Sequence, residues 1–151
     1  MSAPAPATPH RLLRRSPPAL SGLLVPADPA GGVRVVAVAD TSAAISDLLG
    51  SVLLDDVVTW ATPGGVWVSV YLGEDRATAP DNPRLSLIAT RLGLTDRAFH
   101  AAARGEALIL GTGPTGTDED LTSDVVTEVS RCGITVENAQ GMTAGAYRAH
   151  G

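Results

Sequence analysis

The segment Val57–Glu74, VVTWATPGGVWVSVYLGE, constrains the fold more than any other stretch. Val57, Val58, Thr59 and Trp60, and then Val66 through Tyr71, are the β-branched and aromatic types that suit a pleated surface, and Pro63-Gly64-Gly65 between them supplies turn chemistry. The reading is a β-hairpin with a loop of three or four residues. In its second strand Val66, Val68 and Val70 alternate with Trp67, Ser69 and Tyr71, so the valines line a buried face and the aromatics point the other way. That other face is either covered or used.

A hairpin needs further strands and a covering layer, and 151 residues with 44% apolar content suit one core. Residues 1–32 hold seven of the eleven prolines, which prevents regular hydrogen bonding and predicts an extended or disordered leader. The single domain is expected over 33–137, with a flexible tail at 138–151. Val33–Ala39, VRVVAVA, reads as a strand buried on both faces. Asp40 or Thr41 caps a helix carrying Ala44, Ile45, Leu48 and Leu49 that stops at Gly50. After the hairpin, Asp81-Asn82-Pro83 starts a second helix with the stripe Leu85, Ile88, Ala89 and Leu92, and Thr95-Asp96 starts a further turn through Phe99 and His100. Glu106–Leu110 is a short buried strand, Leu121, Val125, Val126 and Val129 a third helix, and Ile134–Glu137 an edge strand. The fold class is therefore α+β, with a small mixed or antiparallel sheet in the order β-α-β-β-α-β-α and helices mainly on one face.

Composition narrows the function classes. A formal charge of −5 and a pI near 5.0 argue against binding to a phosphate backbone. Cys132 is alone, so the chain has neither a disulfide framework nor a thiolate metal cluster. No apolar run is long enough to span a bilayer, and proline breaks the stretch after Arg14-Arg15 where a signal sequence would need a continuous apolar core. A cytoplasmic location is expected. The basic side chains are all arginine, and the heavy use of Ala, Gly, Val and Pro points to coding in a high-GC bacterium or its phage.

Three stretches invite a chemical reading. Gly111-Thr112-Gly113-Pro114-Thr115-Gly116 follows a strand and precedes a helix, as the phosphate loop of a dinucleotide-binding fold does. Asp118-Glu119-Asp120 stands between its glycines and the helix, however, where carboxylates would repel phosphate. Gly111, Gly113 and Gly116 remain the candidates for a cofactor loop, and a strand-to-helix turn is the better reading. Asp118, Asp120 and Asp124 are the candidates for a divalent metal, but they lack the glycine and distal glutamate of an EF-hand loop, and helix capping accounts for them better. Asp55 and Asp56 are adjacent, so on a strand they point to opposite faces and form no acid/base dyad. His100 has no nucleophilic partner that the sequence can assign to it, and a structural role is expected. No cofactor is expected.

The opening strand, Ile45-x-x-Leu48-Leu49-Gly50, the hairpin, Asn82 at a helix entry, Arg104-Gly105 through Gly111, and Asp120-Leu121-Thr122 occur in an order that resembles the family called domain of unknown function 3846, over about residues 33–129. The resemblance implies a compact α+β domain of bacterial or phage context and assigns no activity. The expected function is a small non-enzymatic accessory or binding protein. The alternatives are a nucleotide- or metal-binding enzyme built on the Gly111–Gly116 loop and an acidic mimic of nucleic acid. For a protein partner, or a second copy of the chain, the expected contacts are Trp60, Trp67 and Tyr71 with Asn82 and Arg84, because exposed aromatics are the common anchors of interfaces; the competing expectation is that at least one tryptophan belongs to the core.

Overall fold

The computed structural model describes residues 18–51, 54, 57–73 and 78–141. Its centre is an antiparallel six-stranded sheet in the order β2-β1-β5-β4-β3, with β6 also paired to β5. The strands are β1 (Ala19–Val25), β2 (Arg34–Ala39), β3 (Val58–Ala61), β4 (Trp67–Leu72), β5 (Ala107–Thr112) and β6 (Asp118–Glu119). Helices α1 (Ser42–Leu49), α2 (Pro83–Arg91), α3 (Arg97–Ala101) and α4 (Ser123–Ser130) complete the fold with a 3₁₀ turn at Ala139–Gly141. The α+β class and the antiparallel sheet agree with the sequence reading.

The hairpin forms in the expected place. Val58 pairs with Val70, Trp60 with Val68 and Ala61 with Trp67. The Thr62 and Gly65 N–H groups donate to the Val66 and Thr62 carbonyls, and Gly65 adopts φ +85°. This is the three-residue hairpin turn that ends on a left-handed residue, which glycine adopts without a steric penalty. The same turn closes β5 onto β6. There Gly113 N–H donates to Thr117 O, Gly116 N–H donates to Gly113 O, and Gly116 has φ +84°.

β1 corrects the expected leader. Ala19–Val25 lies within the stretch expected to be extended or disordered, yet it pairs along its length with β2 and through Leu23–Val25 with β5. Proline density misled because it averages over flanks. Pro17, Pro18 and Pro26 bracket a run, ALSGLLV, that contains no proline, and a strand tolerates proline at its ends. Residues 1–17 of that leader and 142–151 of the expected tail lie outside the described residues. β2, expected to be buried on both faces, is an edge strand whose Ala37 is exposed. Its outer edge meets Glu137, which exchanges backbone hydrogen bonds with Val33 and Val35 and so supplies one bridge of the expected final strand.

Both sheet faces are covered, unequally. Leu23, Val25, Val68, Val70, Leu72 and Ile109 pack under Leu85 and Ile88 of α2, Leu92 at its C-terminal cap, Phe99 of α3 and Val125, Val126 and Val129 of α4. On the opposite face Leu20, Leu24, Val38, Leu108 and Leu110 meet Ile45 and Leu49 of α1. Thr41 caps α1 by accepting from Ala44 N–H at 3.1 Å, and Gly50 ends it with φ +69°. α1 covers the β2-β1-β5 part of its face and leaves the outer hairpin open, where Thr59, Ala61 and Trp67 are exposed.

Candidate binding surface and the other predicted sites

The hairpin register separates the two tryptophans. Trp60 lies opposite Val68 and joins the core, with 8% of its surface exposed and its Nε1–H donating to Leu92 O at 2.9 Å. It is a core residue rather than a contact. Trp67 lies opposite Ala61 on the other face and is 53% exposed. Beside it a row of hydroxyls crosses three strands, Thr59 Oγ1 to Ser69 Oγ at 2.7 Å and Ser69 Oγ to Thr112 Oγ1 at 2.6 Å. Ser69 is buried, so this row satisfies a polar side chain that would otherwise be stranded.

Tyr71 is on the Trp67 face, half-buried against the α1 cluster, and its hydroxyl donates to Asp118 Oδ2 at 2.5 Å. Burial first, then that hydrogen bond, then the negative charges of Asp118 and Asp40 push its ionisation well above the ordinary range. The folded chain therefore holds the phenol proton to higher pH than the unfolded chain, whose tyrosine ionises near about 10. The resulting stability is complete below about pH 10 and is lost as pH rises above it. Tyr71→Phe is expected to lower stability by about 1–2 kcal/mol at neutral pH and to remove part of the decline above pH 10. Urea midpoints measured from pH 7 to 11 report both effects.

Asn82 and Arg84, expected near a contact surface, hold the fold together instead. Asn82 is 1% exposed; its Oδ1 accepts from Leu85 N–H at 3.1 Å, and its Nδ2 donates to Val25 O at 3.0 Å and to Gly105 O at 2.8 Å. It is the N-cap of α2 and also ties that helix to the end of β1 and the start of β5. Arg84 reaches the β1–β2 loop, where its guanidinium donates to the carbonyls of Gly31, Pro26 and Asp28 at 2.7, 2.7 and 2.9 Å. Three convergent carbonyls suit the guanidinium fork better than an ammonium.

The glycine loop is a β-turn rather than a phosphate cradle. Gly111 and Thr112 belong to β5, and Pro114-Thr115-Gly116 turns the chain into β6, not into a helix. A Cβ on Gly111 would lie 2.5 Å from Asp120 O, so this glycine admits a neighbouring strand rather than a pyrophosphate. The carboxylates likewise diverge: Asp118 accepts from Tyr71, Asp120 Oδ1 accepts from Ser21 N–H at 2.9 Å, and Asp124 alone lies in the first turn of α4. Among the described residues no group of three or more His, Cys, Asp and Glu is placed to hold a metal. Asp55 and Asp56 lie outside the described residues.

The structure gives His100 the partner that sequence could not assign. Ser86 Oγ is 2.5 Å from His100 Nδ1, and His100 Nε2 is 2.9 Å from Leu94 O. The two side chains border a concavity of about 410 Å³ lined by Asp81, Asn82, Pro83, Ala101 and Ala103. Each stands four positions after its helix cap, Asn82 before Ser86 and Asp96 before His100. The caps were legible, but the crossing of α2 and α3 that joins the two residues was not. A second concavity of about 420 Å³ lies between the hairpin turn and helices α2 and α4, bordered by Pro63, Val66, Leu92 and Val125 and by the paired Arg91 and Glu128.

The fold and these sites define a six-stranded antiparallel α+β domain with helices on both faces of its sheet. Comparison with protein-family models, curated proteins and solved structures finds no match. The resemblance to the domain of unknown function 3846 family thus rests on the residues quoted for it alone.

Proposed function

We propose that the chain is a small accessory binding protein that engages a macromolecular partner through the open face of the β3–β4 hairpin. The observation that carries this reading is the 53% exposure of Trp67 on the part of the sheet that α1 leaves uncovered. Exposed Val57, just before β3, and Ala61 on it extend the patch, and among the described residues β3 is paired on one side only. A rigid aromatic flanked by small and hydroxylated side chains suits a protein surface, since tryptophan anchors concentrate binding energy. The acidic-mimic reading has less support, because Asp96, Glu106, Asp118, Asp120 and Glu128 each accept from a nearby donor within the fold. The loop enzyme reading loses its geometric basis in the β5–β6 turn. The bacterial or phage context stays part of the proposal.

A photo-reactive side chain placed at position 67 tests the reading, with the same group at Leu87, which is 48% exposed on α2, as the control. A discrete cross-linked species at 67 and not at 87 is expected, including one of twice the chain mass if the partner is a second copy. The same products at both positions, or none at 67, would overturn it. Trp67→Ala is expected to abolish the complex while changing stability by no more than about 0.5 kcal/mol, as for other surface substitutions.

A further inference from the structure

We propose that Ser86 and His100 form a nucleophile and base pair that takes the acyl group of small esters entering the concavity between α2 and α3. The activity lies beyond the binding reading and uses the side of the sheet covered by α2, α3 and α4, away from Trp67. Its basis is the direction of two hydrogen bonds. The Leu94 carbonyl can only accept, so the proton of the neutral imidazole sits on Nε2 and Nδ1 presents a lone pair. Ser86 Oγ–H then donates to Nδ1 at 2.5 Å, the arrangement in which a base draws on a hydroxyl.

Ser86 departs from the habit of its neighbours. Ser46, Thr90, Thr127 and Ser130 each turn their hydroxyl back to the carbonyl four residues earlier on the same helix, at 2.6 to 3.1 Å. Ser86 faces the imidazole instead. Thr90 Oγ1 also lies 3.4 Å from Nε2, and the Phe99 ring makes a T-shaped contact with the imidazole at a centroid distance of 5.5 Å. A base whose far nitrogen is fixed by an acceptor and whose near nitrogen meets a hydroxyl satisfies the geometric test for an activated nucleophile.

The surroundings select the substrate class. Ala101, Ala103 and Pro83 leave room for a short acyl chain, and about 410 Å³ is at the small end of ligand-binding volumes. The Asp81 carboxylate at the rim is paired with Arg104 at 3.5 Å, so this edge of the concavity carries no unbalanced charge. Ser86 Oγ bonds to the ester carbonyl carbon and its proton passes to His100 Nδ1. The bond from that carbon to the alcohol oxygen breaks, and the imidazolium proton goes to the departing alcohol. Water then adds to the acyl carbon, giving a proton to Nδ1. The bond to Ser86 Oγ breaks, Oγ recovers the proton, and a carboxylic acid leaves.

The test is intact-protein mass spectrometry of the full chain after incubation with p-nitrophenyl acetate, with peptide mapping of the modified residue. One acetyl group on Ser86 is expected. Acetylation should be slowed about a hundredfold or more in His100→Gln, the scale of a lost general base, and absent from that peptide in Ser86→Ala. Ser86→Cys keeps an attacking atom and should still be acetylated at position 86, which provides a reading if Ser86→Ala fails to fold. Acetylation of the folded protein only at other residues, neither acetylation nor p-nitrophenol release above the rate in buffer, or a rate at Ser86 unchanged by His100→Gln would overturn the proposal and leave Ser86–His100 as a clamp between two helices. Cross-linking at position 67 in Ser86→Ala, if it folds, is expected to match the parent chain, so failure here is distinguishable from failure of the binding surface.

Discussion

Trp60→Ala is expected to destabilise the chain by about 3–5 kcal/mol, the range for removing a buried indole from a core that only partly collapses into the space. Trp60 sits between Val68 on its own sheet and the end of α2, and its N–H holds Leu92 O. Alanine would open a cavity and also leave that carbonyl without its donor. Trp60→Phe separates the two losses, because it fills most of the volume and sacrifices the hydrogen bond, with an expected loss of about 1–2 kcal/mol. Urea unfolding of the three proteins gives the comparison. Domains of this size are commonly stable by only about 5–15 kcal/mol, so the alanine variant should be partly unfolded under mild denaturant. A loss below about 1 kcal/mol for Trp60→Ala would show that the hairpin does not seat this residue in the core.

Asn82→Ala is expected to lower stability by about 2–4 kcal/mol. The helix cap alone is worth about 1 kcal/mol. The larger share comes from the Val25 and Gly105 carbonyls, which would lose their donor in a place where Asn82 itself is almost fully buried. Asn82→Asp discriminates between these contributions. It keeps an oxygen to cap α2 but has no amide to give to the two carbonyls, and it brings a charge among oxygens. If capping dominated, Asp would be nearly harmless; because bridging dominates, Asp is expected to be at least as damaging as Ala.

These residues show how much was legible. Local chemistry read well: the alternation of Val68 and Val70 with Trp67 and Tyr71, the Gly50 stop and the Asn82 cap all appear where the residue types put them. What failed depended on neighbours distant in sequence. Asn82 looked like a cap and a possible contact, and only the arrival of β1 and β5 beside it turns its amide inward. The register puts Trp60 and Trp67 on opposite faces, whereas the residue types alone allowed one tryptophan to be core without choosing between them. Gly111-Thr112-Gly113-Pro114-Thr115-Gly116 carried a phosphate-loop pattern, yet Pro114 and Gly116 fit the same hairpin turn that Pro63 and Gly65 make, a repeat visible in the sequence and read only once. Ser86 and His100 offered no signal beyond their caps, because helix crossing is a tertiary property.

The seat of β1 between β2 and β5 sets the order in which the chain can be finished. β2 follows it closely enough in the chain to form a ribbon, but the partner on its other side, Ala107–Ile109, emerges more than eighty positions later. Long-range pairing of this kind makes folding slow, since a large loop must close before the contact rewards it. Until β5 is available the nascent ribbon presents an open, Leu-rich edge, the kind of surface that recruits chaperones or other strands. Translation initiated downstream of Val25 would delete an interior strand rather than trim an edge, separating β2 from β5 in every molecule made.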